Sequence, residues 1–284
     1  APPDLGGDHQ PGDGRPGGRV VGHEEAGGHR RERVELAGDR REVRAVRDVE
    51  PIGRQLDALA PVAARFLVPD NATARAAVAG LAVAAEIRRR DAETVAVLNA
   101  RDRNTLGLRR DLLGLLALGV HEVLLLRGDR PEDDDEDGPL TVGAMLREAR
   151  ALAQEHEVPL RVGVVAAPGR DLPRWKRDAD VVWLAPTFSL PAVADWRERH
   201  ADLAAPVRAG VLVPTGPRMA RGVAEGMDLD LPAGLVEALG EDDTSGVDAA
   251  CEHALALRDA GVDGIHLVAV SRYREVAQRL TGLV

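Results

Sequence analysis

Short runs rich in β-branched and other apolar residues recur along the chain, bounded by Gly, Pro or charge. Between them, apolar positions return every three or four residues. The runs predict strands at residues 64–68, 94–98, 123–126, 160–165, 181–184, 207–213 and 265–270. The intervening periodic segments predict helices at 52–59, 72–90, 105–118, 142–155, 191–203, 217–225, 246–260 and 272–280. The run Val123, Leu124, Leu125, Leu126 is apolar at every position, as in a parallel strand covered on both faces. Strands alternating with helices in this way predict an α/β fold, a (β/α)8 TIM barrel in a single domain. An open doubly wound sheet is the second architecture, weakened because no Gly-rich fingerprint follows a strand. An eighth strand must precede the first helix. Its candidates are 33–36 and 42–46, both short and interrupted by Arg.

Composition sets the boundaries of this picture. A chain of 284 residues is long enough for one such barrel, here assigned to residues 34–284. Residues 1–33 hold only Leu5, Val20 and Val21 as large aliphatics among Gly, Pro, Asp, Arg and His. Such a stretch cannot bury enough surface to offset its ordering entropy, so it reads as a disordered or misassigned extension. His9, His23 and His29 lie in it without a framework that would fix metal geometry. A net charge of -10 argues against a nucleic-acid partner. The single cysteine, Cys251, excludes a disulfide framework and a cysteine-based metal centre, and no metal is expected. No apolar run approaches the roughly 18 residues of a membrane span, and no segment resembles a signal peptide. The expectation is a soluble cytoplasmic protein with no membrane partner.

In a barrel, chemistry gathers in the loops that follow the strands. Those positions include Asp70 and Asn71; Asn99, Arg101, Asp102, Arg103 and Asn104; and Arg127, Gly128 and Asp129. Helix capping accounts for Asp70 or Asn71, and for one of Asp102 to Asn104. Asp129 differs, because an acidic loop and not a helix follows it. The acidic run 132–137 reads as a solvated loop.

The segments RDRN at 101–104, LLG at 112–114, LG at 118–119 and LRGDRP at 126–131 resemble the methylenetetrahydrofolate reductases. LVPDN at 67–71, AGVLVP at 209–214, LDLP at 229–232 and GVDGIHL at 261–267 extend the resemblance in the same order. It implies a barrel that binds FAD at its strand ends and reduces it with NADH or NADPH. Hydride then passes to 5,10-methylenetetrahydrofolate, giving 5-methyltetrahydrofolate, so the expected partner is a folate, and a homo-oligomer is compatible with the family. Asp129 matches the family aspartate that faces flavin and pterin. Arg127 and Gly128 match cofactor-contacting positions, with Arg101, Asp102 and Lys176 as further cofactor-binding candidates. The family's acid, a Glu at the end of the first strand, falls on Glu42 by counting back from the first helix, or on Glu35 by the VEL segment.

The chain also departs from that family. Its polar residue on the third strand falls on Val97, its Thr after the second strand on Pro69, and its Thr-Gln pair after the sixth on Ala185 and Pro186. Proline cannot replace the hydrogen bonds of Gln. A second reading therefore stands beside the reductase: a barrel that binds folate or flavin without hydride transfer, as a partner subunit in one-carbon metabolism.

Overall fold

A computed structural model describes residues 50–71, 78–128, 140–227, 229–242, 244–268 and 272–281. All belong to the second of the chain's two units, which begins at Asp39. Seven strands are present among them: β1 (Arg65–Val68), β2 (Glu93–Asn99), β3 (Glu122–Leu126), β4 (Arg161–Ala166), β5 (Val181–Leu184), β6 (Val207–Leu212) and β7 (Gly264–Val268). They form one sheet in chain order, with parallel pairing throughout. The helices are α1 (Glu50–Leu59), α2 (Gly80–Arg88), α3 (Thr105–Ala117), α4 (Val142–Glu155), α5 (Leu190–Arg199), α6 (Pro217–Met227), α7 (Leu235–Glu241), α8 (Ser245–Asp259) and α9 (Tyr273–Leu280).

This is the TIM-barrel topology, in which each parallel strand neighbours the next in sequence. The first helix, α1, packs against the last, α9. Both candidate positions for an eighth strand, 33–36 and 42–46, lie outside the described residues.

Alternation along each strand separates two cores. Leu67, Val95, Val97, Leu124, Leu126, Val165, Val181 and Trp183 meet on the inner face of the sheet. The intervening residues, such as Ala96, Leu98, Val123, Leu125 and Val162, pack against the helices. Because both faces are covered, the strands read as unbroken apolar runs.

Glycine makes room for the large interior side chains. A β-carbon on Gly163 would stand 2.8 Å from Nε1 of Trp183, and one on Gly210 would stand 2.9 Å from Cε1 of His266. Trp183 and His266 meet edge to face, with centroids 4.9 Å apart. At the amino-terminal ends of the strands, the buried carboxylate of Glu122 is shared by Arg65 at 2.9 Å, Arg161 at 3.5 Å and Arg208. Charge therefore closes the lower end of the interior.

The structure departs from the predicted elements in three places. Within the helix predicted over 72–90, Ala79 is extended (φ -51°, ψ 128°) and α2 runs from Gly80 to Arg88. Residues 72–77 lie outside the described set. Helix α5 stops at Arg199 instead of running to 203, where the His200 ring turns inward: its Nε2 accepts from the Leu172 N–H at 3.0 Å, so its proton is on Nδ1, which donates to the Trp196 carbonyl at 2.7 Å. The segment after β4, for which no helix was predicted, holds a 3-10 turn, Arg174–Lys176, and is fastened to α5 by Trp196 Nε1 on the Arg170 carbonyl at 3.1 Å and Arg199 Nη2 on the Pro168 carbonyl at 3.1 Å. Helix α7 was not anticipated. It has only seven residues, and Gly234 in the left-handed region (φ 77°) starts it.

Candidate functional site

The polar residues at the carboxyl ends of β1 and β2 form a connected network. Asp70, expected to cap a helix, is engaged across strands: its Oδ2 accepts from the Asn99 backbone N–H at 2.8 Å and from Asn99 Nδ2 at 2.6 Å, and it pairs with Arg103. Arg103 Nε also donates to Asp111 at 3.0 Å. Burial works against the charge on Arg103, but bonding to Asp70 and the nearby Asp111 more than offset it and raise its pKa. At the start of α3 the cap expected among Asp102 to Asn104 is Asn104, whose Oδ1 accepts from the Gly107 N–H at 2.8 Å.

Asp102 is chelated by Arg101 through Nε at 2.6 Å and Nη2 at 2.7 Å. Asn71 Nδ2 and Asn99 Nδ2 add donors at 2.8 Å and 3.0 Å. Arg101 first, then these amides, hold the Asp102 carboxyl far below the usual carboxylate range. Asp102 is thus a fixed anion and unsuited to donating a proton.

The end of β3 is brought directly against this network. The β2–β3 ladder continues past both strands, with the Ala100 N–H on the Leu126 carbonyl at 2.9 Å and the Arg101 N–H on the Arg127 carbonyl at 3.1 Å. Gly128 then turns the chain at φ 93°, a left-handed value suited to glycine. A β-carbon there would stand 3.1 Å from Arg101 Cβ and 3.2 Å from Asn99 Cβ. The Arg127 side chain is exposed on this rim. Two proposed catalytic residues, Asp129 and Glu42, lie outside the described residues, as does Glu35.

Lys176, on the 3-10 turn, donates from Nζ to the Val165 carbonyl near the end of β4, and burial lowers its pKa. Further round the rim, Ala185 and Pro186 follow β5, and the Thr187 N–H donates to the Gly210 carbonyl at 3.3 Å. An open pocket of about 570 Å³ lies at the start of α6, lined by Thr215, Gly216, Pro217, Arg218, Met219, Gly222 and Val223. Val97, where the resembling family has a polar group, is buried in the apolar inner face with Leu124 and Trp183.

Asn99 and Arg103 were among the strand-end positions the sequence pointed to, but their partners were not legible there. The available signal was an amide ending an otherwise apolar strand, which must find partners if buried. Among the described residues no three His, Cys, Asp or Glu side chains are grouped to hold a metal ion. Of the cofactor candidates, Arg101 is engaged by Asp102 and Lys176 by the Val165 carbonyl, while Arg127 is exposed at the end of β3. No helix among the described residues is long and apolar enough to cross a membrane.

Neither protein-family models nor curated proteins match this chain. Solved structures do. A chain of the tryptophan synthase α2β2 complex from Pyrococcus furiosus matches at 18% identity over 71% of this chain and 89% of that one, with a TM-score of 0.43. An uncharacterized protein from Clostridium thermocellum, which binds two copies of 5-methyl-5,6,7,8-tetrahydrofolic acid, matches at 10% identity over 83% of this chain and 89% of that one, with a TM-score of 0.54. The chain shares its fold with that protein.

Proposed function

We propose that this chain is a folate-binding barrel of the methylenetetrahydrofolate reductase type. It would use NADH or NADPH to reduce FAD, and the reduced cofactor to convert 5,10-methylenetetrahydrofolate to 5-methyltetrahydrofolate. One observation carries the reading: Arg101 of the RDRN segment and Arg127 and Gly128 of the LRGDRP segment, which bear the resemblance to that family, meet at the ends of adjacent strands, with Gly128 seated on Asn99 and Arg101. The fold shared with a protein that binds 5-methyltetrahydrofolic acid supports the folate half.

Arg127 would meet the FAD diphosphate directly, and Arg101 and Lys176 would do so on exchanging the Asp102 carboxylate and the Val165 carbonyl for it. When bound, FAD supplies a hydride acceptor and donor. The chain's own residues supply charge and position. Asp102 is too firmly ionised to open the folate ring, so that proton falls to Glu42 or Glu35, while Asp129 sets the charge beside the reacting groups.

The test is the absorption spectrum of the purified full chain, with flavin release on denaturation, together with calorimetric titration of tetrahydrofolate. Flavin bands with folate binding support the reductase. Folate binding without flavin, even after added FAD, selects the second reading, a folate-binding partner in one-carbon metabolism. Pro186, without an N–H at the position of the family's Gln, and the apolar setting of Val97 favour that reading. Binding of neither overturns both.

A further inference from the structure

Asn99, at the last position of β2, has no exposed surface. Its side-chain amide is where three rim segments meet. Nδ2 donates to Asp70 Oδ2 at 2.6 Å and to Asp102 Oδ2 at 3.0 Å, and Oδ1 accepts from the Asp102 N–H at 2.9 Å. Its backbone carbonyl accepts from Arg103 Nη1 at 3.2 Å. On the other side, its Cβ and Cγ lie 3.2 Å and 3.4 Å from where a β-carbon on Gly128 would stand. A strand end needs no such span. One buried amide here joins the loops after β1 and β2 and supports the turn after β3.

We propose that Asn99 is a positioning residue for the ligand site. Through Asp102 and Gly128 it sets where the segment 101–102 stands relative to the segment 127–128, and hence how tightly a folate is held. The inference rests on the folate reading above.

Asn99→Asp tests it, because it replaces a donor with an oxygen facing two carboxylates. Full burial and the charges of Asp70 and Asp102 raise the pKa of the new carboxyl above its ordinary value of about 4, while Arg101 and Arg103 offset part of that rise. Ionised, it repels both partners. Protonated, it donates again. In the full chain, 5-methyltetrahydrofolate measured by calorimetry should bind the variant about tenfold more weakly than the parent near pH 8. The difference should shrink as pH falls toward about 5.5, a recovery that lost packing alone would not produce.

The Gly128 amide resonance of the labelled variant should shift as the new carboxyl titrates. Equal folate affinity at every pH, or a Gly128 resonance that follows the parent throughout, overturns the proposal. If the parent binds no folate, the folate reading fails by itself and the Gly128 titration still decides this one. Should Asn99→Asp not fold, Gly128→Ala presses on Asn99 from above. It should move the Asn99 side-chain amide resonances, and their constancy overturns the proposal equally.

Discussion

The indole nitrogen of Trp183 lies 2.8 Å from the point where a β-carbon on Gly163 would stand, and Cδ1 lies 3.0 Å from it. Strand β4 therefore gives up a side chain so that one large ring from β5 can fill the barrel. Gly163→Ala should cost about 1–3 kcal/mol by overpacking, since the buried ring has backbone and packed neighbours around it. Urea unfolding followed by circular dichroism would measure it, and parental stability would contradict this packing.

The carboxylate of Glu122 is shared by arginines from three other strands, and the Arg208 guanidinium also lies 4.7 Å from the centre of the Trp183 ring. Removing the shared anion leaves Arg208, the most buried of the three, without its carboxylate, while Arg65 keeps Glu93 at 3.1 Å. Glu122→Ala should lose about 3 kcal/mol or more, and Glu122→Gln less, because the amide still accepts hydrogen bonds. Chemical denaturation of both variants checks the order.

Asp102 gives a signed pH dependence. Its pKa in the folded chain is depressed below its ordinary value of 3.8, chiefly by Arg101. Its contribution is present above that ordinary value and is lost as pH falls through the depressed one. Asp102→Asn should therefore be less stable than the parent at neutral pH and show a flatter acid limb below about pH 4. Melting temperatures from about pH 2 to pH 7 measure this, and parallel curves would refute it.

Burial, then Asp248, pushes the Cys251 thiol up to about 11. The thiolate is scarce at neutral pH, so a disulfide reagent should label the folded chain slowly and the denatured chain fast. Fast labelling of the folded chain would place the thiol elsewhere.

If the reductase reading holds, Asp129→Asn should retain flavin, shift its reduction potential and slow folate reduction, because it removes charge while keeping size. Arg127→Ala should weaken flavin affinity. Spectroelectrochemistry and flavin titration measure the two effects. Parental potential and rate in the first variant, with parental affinity in the second, would remove the reductase assignment from this loop.

By itself, the sequence determined the seven described strands and the order of most helices. Runs such as Val123 to Leu126 and Val181 to Leu184 are apolar on both faces, and only a covered parallel sheet accommodates them. It also located the rim, since polar residues at 99–104 and 127–128 follow those runs directly. Tertiary structure decided which of these residues hold one another. Asp70 resembles a helix cap in sequence, yet its carboxylate bonds to Asn99, 29 positions away, and Asn99 looks like an ordinary strand end. The clamp of the segment after β4 onto α5 and the Trp183–Gly163 fit were equally invisible. Local patterns report which face a residue occupies, whereas the partner of a buried polar group depends on strand register and loop approach.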